Sequence, residues 1–398
     1  MKVYADNAAT TYLSKTAREV LIDALDNYNG NPNSLHSDGQ LAQEKLDEAR
    51  EVVAKCINAK KPNEIYFTSG GSEADNQALI SAAKGLKGKG KNHLITLSIE
   101  HHAVLHTMAR LEKEGFEVTY LNPQSDGIVA VEDVRDAIRD DTALVSIMFA
   151  NNEMGAIQPI AEIGALCKEK GVLFHTDAVQ AVAHLPIDVQ EMNIDMLSLS
   201  AHKFHGPKGV GVLYARNGIK LINVIEGGAQ ERGKRAGTIN VPGIMSMAAA
   251  LKEGCDNMEV NMKKVSVLRD RLIEGLKDIP YSKLNGDAVK RLPGNVNYSF
   301  EGVEGESLLL SLDNEGICCS SGSACTSESL EPSHVLLGMG VPIEIAHGSL
   351  RFSLDINNTE EEIDYIVEKV KKIIAHYREI SPYWEDLKTG KRKHCLAE

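Results

Sequence analysis

No run of the sequence approaches the roughly 20 consecutive apolar residues that a membrane-spanning helix requires. The opening "MKVYADNAATTYL" meets an acid at Asp6 before any apolar core forms, so neither a signal peptide nor an anchor is expected there. Basic residues are outnumbered, with 43 Lys and Arg against 56 Asp and Glu, a net charge of −13. A protein that tracks a nucleic-acid backbone needs a basic face, and this balance argues against one. The seven cysteines, an odd count at irregular spacing, make no disulfide framework and point to a reducing, cytoplasmic setting. Internal repeats and low-complexity linkers are missing too. The C-terminal "KRKHCLAE" has a C-a-a-X shape, but Glu398 is not a usual prenylation ending, and a solvated tail is expected.

What is present is a chain of 398 residues, 43% apolar and 25% charged, long enough for two domains of a globular enzyme. Apolar runs at 64–69, 93–98, 117–121, 143–149, 172–177, 195–200 and 210–215 read as strands. Helical patterns separate most of them, for example "IAEIGALCKEKG", which Gly171 closes as a C-cap. The expected fold class is α/β, with a mostly parallel seven-stranded sheet in a large domain over 15–255. From about residue 256 two long helical stretches flank "NVNYSF" and "SLRFSL", so 1–14 and 256–398 are expected to form a smaller α+β domain. Its last long helix opens on a Thr359–Glu362 capping box.

In a parallel sheet the ligand lies at the carboxyl ends of the strands. After "EIYFTS" comes "GGSEADN", where Gly70 and Gly71 permit a turn, Ser72 can cap, and a helix N-terminus offers amides to an anion. "HLITLS" is followed by His101, "VLFHTD" ends on Asp177, and "DMLSLS" leads into His202 and Lys203. Each residue alone has a blander reading, as a cap, a turn or a solvated side chain. Together on one sheet edge they match pyridoxal phosphate, which needs an anion cradle, a carboxylate for its ring nitrogen, a lysine for its aldehyde and a stacking partner. A dinucleotide would call for a G-x-G-x-x-G turn, which "TSGGSEADN" does not supply.

The segments "YADNAATT", "GNPNSLHSDG", "FTSGGSEADN", "EHHAVL", "FANNEMG", "HTDAVQA", "SLSAHKFHGPKGVG", "QERGKRAGT", "SSGSACTSESLEPSHVL" and "RFSL" resemble, in order and over nearly the whole chain, the cysteine desulfurases of the NifS/IscS type. The resemblance implies a fold-type-I pyridoxal phosphate enzyme, a homodimer with shared active sites. Its reaction converts L-cysteine to L-alanine and keeps the sulfur as a persulfide for an iron–sulfur scaffold protein or another acceptor. It implies that Lys203 binds the cofactor aldehyde, Asp177 partners the ring nitrogen, His101 stacks on the ring and Gln180 bonds the ring oxygen, with Asn152 close by. Gly71, Ser72, Ser200 and His202 would hold the phosphate, Thr238 would reach it from the partner subunit, and Arg351 and Asn31 would bind substrate. Many relatives have threonine where Ser72 stands. Cys325 would take the sulfur, and as a persulfide would serve as a transient iron–sulfur ligand.

Cys325 sits in "SSGSACTS", small and polar residues suited to a mobile loop that visits a buried cofactor and then presents its cargo. Cys318 and Cys319, in the apolar "NEGICCSS", are expected to pack instead. Other functions remain open on the residues. A same-fold aminotransferase would use Lys203 and Asp177 but not Cys325, selenocysteine lyase chemistry would differ in substrate, and a non-catalytic sulfur or metal scaffold would use the cysteines alone.

Overall fold

The computed structural model describes residues 1–321 and 332–396. Its central sheet has seven strands: β2 (Ile65–Thr68), β3 (His93–Leu97), β4 (Glu117–Leu121), β5 (Thr142–Ser146), β6 (Leu173–Asp177), β7 (Met196–Ser200) and β8 (Gly211–Ala215). They follow the short β1 (Val3–Tyr4) and lie in the order β2-β8-β7-β6-β5-β3-β4. β8 is antiparallel to both neighbours, β7 and β2, and the other pairs are parallel. Six of the seven strands therefore run the same way. Every residue of β3, β5, β7 and β8 is buried, which explains their continuous apolar runs, since helices cover both faces. β5 ends earlier than its run predicted, although the amides of Ile147 and Phe149 still reach the carbonyls of His175 and Asp177.

A second sheet joins β9 (Ser282–Leu284), β10 (Asn295–Phe300) and β12 (Ser349–Ser353), antiparallel, in the order β12-β10-β9. β11 (Ile317–Cys318) pairs with β1 and so ties the N-terminus to this half of the molecule. Helix Glu360–Ile380 starts in the expected capping box and buries Ile363, Ile366, Val370 and Ile374 in the second core. Buried residues of the 335–346 segment, among them Leu336 and Ile345, join the core of the large sheet instead. No helix of the described residues is long and apolar enough to cross a membrane.

The C-terminal tail corrects an expectation. It is docked through His394, while Lys391, Arg392, Lys393 and Cys395 are exposed as expected: the His394 ring stacks on Tyr281 with centroids 3.7 Å apart, and its Nδ1 lies 3.0 Å from a carboxylate oxygen of Glu301. The Cys395 amide donates to the same carboxylate at 2.7 Å. Glu301 is fully buried, so it needs these donors, and the tail supplies them.

Candidate active site

Because six strands share a direction, the segments that follow β2, β3, β5, β6 and β7 emerge along one edge. Helix Gly71–Lys87 begins directly after the β2 turn, at Gly71. Ser72 lies in its first turn, and the residue in the N-cap position is Gly70, which makes no side-chain cap. A Cβ built on Gly71 would stand 2.6 Å from Cγ2 of Val179, and one on Gly211 would stand 2.6 Å from Cα of Gly70. Glycine at both positions lets β6, β8 and the helix start close together, with Ser200 beside them. The first-turn amides of the helix, unpaired within it, form a cradle suited to a phosphate.

Asp177 ends β6 and is buried; its Oδ1 accepts from the Val179 amide at 2.9 Å. Burial pushes its carboxyl up to about 6, against the pull of that amide and of Lys203. Beneath it lie two more buried acids. Asp75, on helix Gly71–Lys87, is held well above the carboxylate range by burial and by Asp177, and Glu100 likewise by burial, despite the Met148 amide that donates to it at 2.7 Å. His175 stands between serines, its Nδ1 2.9 Å from Ser146 Oγ and its Nε2 3.1 Å from Ser198 Oγ, with Asp75 Oδ1 3.6 Å away. Burial holds that imidazole neutral, down to about 3.

His101 caps helix His102–Lys113, its Nδ1 accepting from the Ala103 amide at 3.1 Å. That bond leaves the proton of the neutral ring on Nε2. Burial, then Lys203, keeps the ring down to about 4. Lys203 follows β7 in a short 3-10 turn, and its Nζ donates to the carbonyls of Ala8 and Ala9 at 2.6 and 2.8 Å. The Gln180 amide donates to the same Ala8 carbonyl at 3.0 Å. His202 Nδ1 lies 3.2 Å from Thr10 Oγ1, and burial with the neighbouring lysines 203 and 208 keeps it down to about 4. The "DNAATT" segment is thus the fixture on which this edge is assembled. A cavity of about 520 Å³ borders Lys203 and Gln180, between them and the second sheet, without taking in Asp177 or His101.

Arg351 on β12 is 2% exposed. Its Nη1 donates to the Asn152 carbonyl at 3.1 Å and its Nη2 to Asp6 Oδ1 at 3.0 Å, while its buried Nε has no hydrogen-bond partner among the described residues. A buried, unpartnered guanidinium donor suits an incoming carboxylate. Asp6 is held in turn by the Ser320 hydroxyl, which donates to it at 2.9 Å.

Asn31 and Thr238 stand apart from this group. Asn31 is exposed in the turn before helix Ser37–Cys56, and its Oδ1 accepts from the Asn33 amide. Thr238 is exposed and lines a cleft of about 150 Å³ with Thr68, Ser69 and Arg235 of its own chain. The segment before it is braced by Glu231, whose carboxylate accepts from both Nη atoms of Arg50 and from the Phe67 amide. Cys325 lies outside the described residues. Cys318 is half-buried in β11, and Cys319 packs against the second core, where burial pushes its thiol up. Among the described residues no cluster of three or more His, Cys, Asp or Glu side chains is placed to hold a metal ion.

Sequence reasoning missed Asp6, Asp75, Glu100 and His175. Asp6 stands in "YADNAATT", but its partner Arg351 is 345 residues away. Asp75 and Glu100 carry a signal only in hindsight, as acids within otherwise buried stretches of helix and strand end.

The class-V aminotransferase profile matches residues 3–366. The chain is 56% identical over 395 residues to a cysteine desulfurase IscS of Clostridium botulinum (strain Hall), covering 98% of this chain and 99% of that one. It is 53% identical over 380 residues to a cysteine desulfurase IscS of Methanosarcina thermophila, covering 96% and 94%. Among solved structures, a NifS-like protein superposes with a TM-score of 0.88 at 39% identity, over 94% of this chain and all of that one. A structure described as SspA in complex with cysteine superposes with a TM-score of 0.80 at 36% identity, over 90% of this chain and all of that one. With matches of this extent and identity, the chain belongs to the class-V aminotransferases, on their cysteine desulfurase branch.

Proposed function

We infer that the protein is a pyridoxal phosphate-dependent cysteine desulfurase that converts L-cysteine to L-alanine. The observation that carries this reading is the gathering of Lys203, Asp177, His101 and the Gly71 helix start on one sheet edge, in a chain with whole-length cysteine desulfurase relatives. These residues fit the cofactor: the helix that starts at Gly71 offers first-turn amides unpaired within it, and Asp177 is a buried acid within the field of Lys203. When bound, pyridoxal phosphate supplies an aldehyde that captures amines and a protonated ring that accepts electron density from the substrate carbon.

The chain's own residues do the rest. Asp177 offers a carboxylate at the strand end, oriented by the Val179 amide. Gly71, Ser72, Ser200 and His202 hold the phosphate, with Gln180 and Asn152 along the ring. His101, neutral at pH 7, presents its ring face and the Nε2 proton. Lys203 Nζ, once released from the Ala8 and Ala9 carbonyls, takes the substrate α-proton. Arg351 orients the substrate carboxylate through Nε, and Asn31 contacts substrate from the loop that carries it. Cys325 Sγ, as thiolate, attacks the substrate sulfur while the Cβ–S bond breaks. L-cysteine and one enzyme thiol thereby become L-alanine and one enzyme persulfide, with all atoms kept.

In this reading residues 15–255 form the cofactor domain, and 1–14 with 256–398 the smaller domain that carries Cys325. The enzyme is a cytoplasmic homodimer, Thr238 completing the partner's phosphate site. The persulfide passes to an iron–sulfur scaffold protein or another thiol acceptor, Cys325 acting as a transient ligand during delivery. Mass spectrometry after a pulse of labelled L-cysteine tests it: label is expected on Cys325, and Cys325→Ser is expected to release neither alanine nor sulfide at the wild-type rate. Label confined to other cysteines, or undiminished turnover in that variant, would overturn the assignment.

A further inference from the structure

The C-terminal ends of two helices that are far apart in sequence bring two thiols together. Cys56 is the last residue of helix Ser37–Cys56, Cys255 the penultimate residue of helix Val241–Asp256, and these helices pack on one another. The two thiols are within hydrogen-bonding reach, both half-buried and seated against the large core. Neither belongs to the sheet edge described above. A contact between two reduced thiols contributes little to packing that alanine or valine would not, but it places two sulfurs where one can resolve an oxidised form of the other.

We propose that Cys56 and Cys255 form a sulfane-sulfur-sensitive dithiol, which takes up the outer sulfur of a small persulfide or polysulfide and discharges it as sulfide while closing a disulfide. The proposal rests on the desulfurase reading only for the natural source of that sulfur. In the first step the Cys255 thiolate attacks the outer sulfur of R–S–SH, giving Cys255–S–SH and R–SH. In the second, Cys56 attacks Sγ of Cys255 and displaces hydrogen sulfide, leaving Cys56–S–S–Cys255. Two thiol sulfurs are each oxidised by one electron, and the sulfane sulfur takes both electrons and leaves as sulfide. No other oxidant is needed, and two equivalents of an external thiol reset the pair. Cys255 is the attacking member because the hydrogen bond from Cys56 holds its thiol below the ordinary range, whereas the same bond and burial push Cys56 up. Of the charged groups near Cys56, Asp256 disfavours its thiolate and Lys252, paired to that acid, partly offsets this.

The test exposes purified holoenzyme, without L-cysteine, to inorganic polysulfide, then blocks remaining thiols and maps peptides without reduction. Polysulfide is supplied from outside, so the result does not depend on turnover or on Cys325. The expected result is a cross-link between the peptides carrying Cys56 and Cys255, with one sulfide released per cross-link and full reversal by dithiothreitol. Cys56→Ala should instead accumulate a persulfide on Cys255, and Cys255→Ala should leave Cys56 unmodified. Free Cys56 and Cys255 in the treated wild type, or persulfide on Cys56 with Cys255 untouched, would overturn the proposal. The wild-type map decides the matter even where a variant folds poorly. Loss of desulfurase activity in Cys325→Ser with the cross-link still forming would separate this chemistry from that of the main site.

Discussion

Three buried carboxyl groups, those of Asp177, Asp75 and Glu100, lie within one another's field, and water is not there to screen them. Of the three, Asp177 has a lysine in reach to favour its charge, so it is the member suited to ionise, while burial holds Asp75 and Glu100 well above the ordinary carboxylate range. That ionisation costs folding stability. A folded-state value raised from 3.8 to about 6 means that the contribution of Asp177 is fully present below 3.8 and is lost as pH rises through 6, a loss of about 3 kcal/mol by neutral pH. Asp177→Asn keeps an acceptor for the Val179 amide and removes the charge. The cofactor-free variant should therefore be about 3 kcal/mol more stable than wild type at pH 8, with little difference at pH 4, while turnover falls on the order of 100-fold or more. Urea denaturation of the two cofactor-free proteins at both pH values checks this, and a variant no more stable at pH 8 would contradict the argument. Arg351 makes a different trade, because it already holds Asp6 and the Asn152 carbonyl in the resting site. Arg351→Lys keeps a cation for Asp6 but loses the planar fork. The KM for L-cysteine should rise by about tenfold or more with a smaller change in kcat, since the carboxylate contact is made in ground and transition states alike. Steady-state kinetics would separate that from a loss confined to kcat.

At the level of elements, the site is held together by how closely strands and a helix start can approach. Gly71 opens a helix and Gly211 opens β8, and a side chain at each meets different matter. A methyl at Gly71 meets the end of the Val179 side chain, which can turn away; a methyl at Gly211 meets the Gly70 backbone and the Leu199 carbonyl at 2.7 Å, which cannot. Gly71→Ala should cost about 1 kcal/mol and weaken cofactor retention moderately, whereas Gly211→Ala should cost about 3 kcal/mol or more and abolish retention. Thermal unfolding and cofactor absorbance after dialysis would show it, and equal effects would refute the distinction. This contrast also explains what was legible in the sequence. Most of the sheet runs could be read because buried strands are continuous and apolar, and the Gly70–Gly71 turn follows β2 directly. The chain alternates strand and helix, so the shared strand direction, and with it the edge where Lys203 and Asp177 meet, could be read too. What could not be read are the partners that only folding brings together. Asp6 meets Arg351 through an isolated bridge between Asp6 and Ser353 of β12, beside a β1–β11 pairing of two residues each, too short to leave a periodic signal. Asp75 sits in a helix buried on nearly every side from Ala74 to Ala83, yet its polar first turn, "GSEADNQ", makes an acid there read as solvated. The docked tail depends on Glu301, whose burial nothing in "SFEGVEG" announces.

For the whole molecule, the open question is where Thr238 acts. Within one chain it lines a cleft beside Thr68 and Ser69, at the end of β2 and one turn from the Gly71 cradle. That is close enough to raise the alternative that it serves its own chain, and the buried Arg50–Glu231 pair would then hold it there. In the proposed homodimer it serves the neighbour instead, and the two arrangements differ when subunits are mixed. A Lys203→Ala chain lacks its own lysine, and a Thr238→Ala chain lacks what it lends. If Thr238 crosses the interface, a hybrid has one site with both defects and one site with neither. Random re-pairing makes about half of the dimers hybrid, each with one intact site of two, so the mixture should recover about a quarter of wild-type activity. If Thr238 serves its own chain, the hybrid's two sites carry one defect each, and mixing recovers nothing beyond the average of the parents. The measurement is turnover after the two variants are unfolded together and refolded with pyridoxal phosphate, with sedimentation run alongside to count subunits. A dimer without recovery would move Thr238 to its own chain's site, and a monomer would remove shared sites altogether.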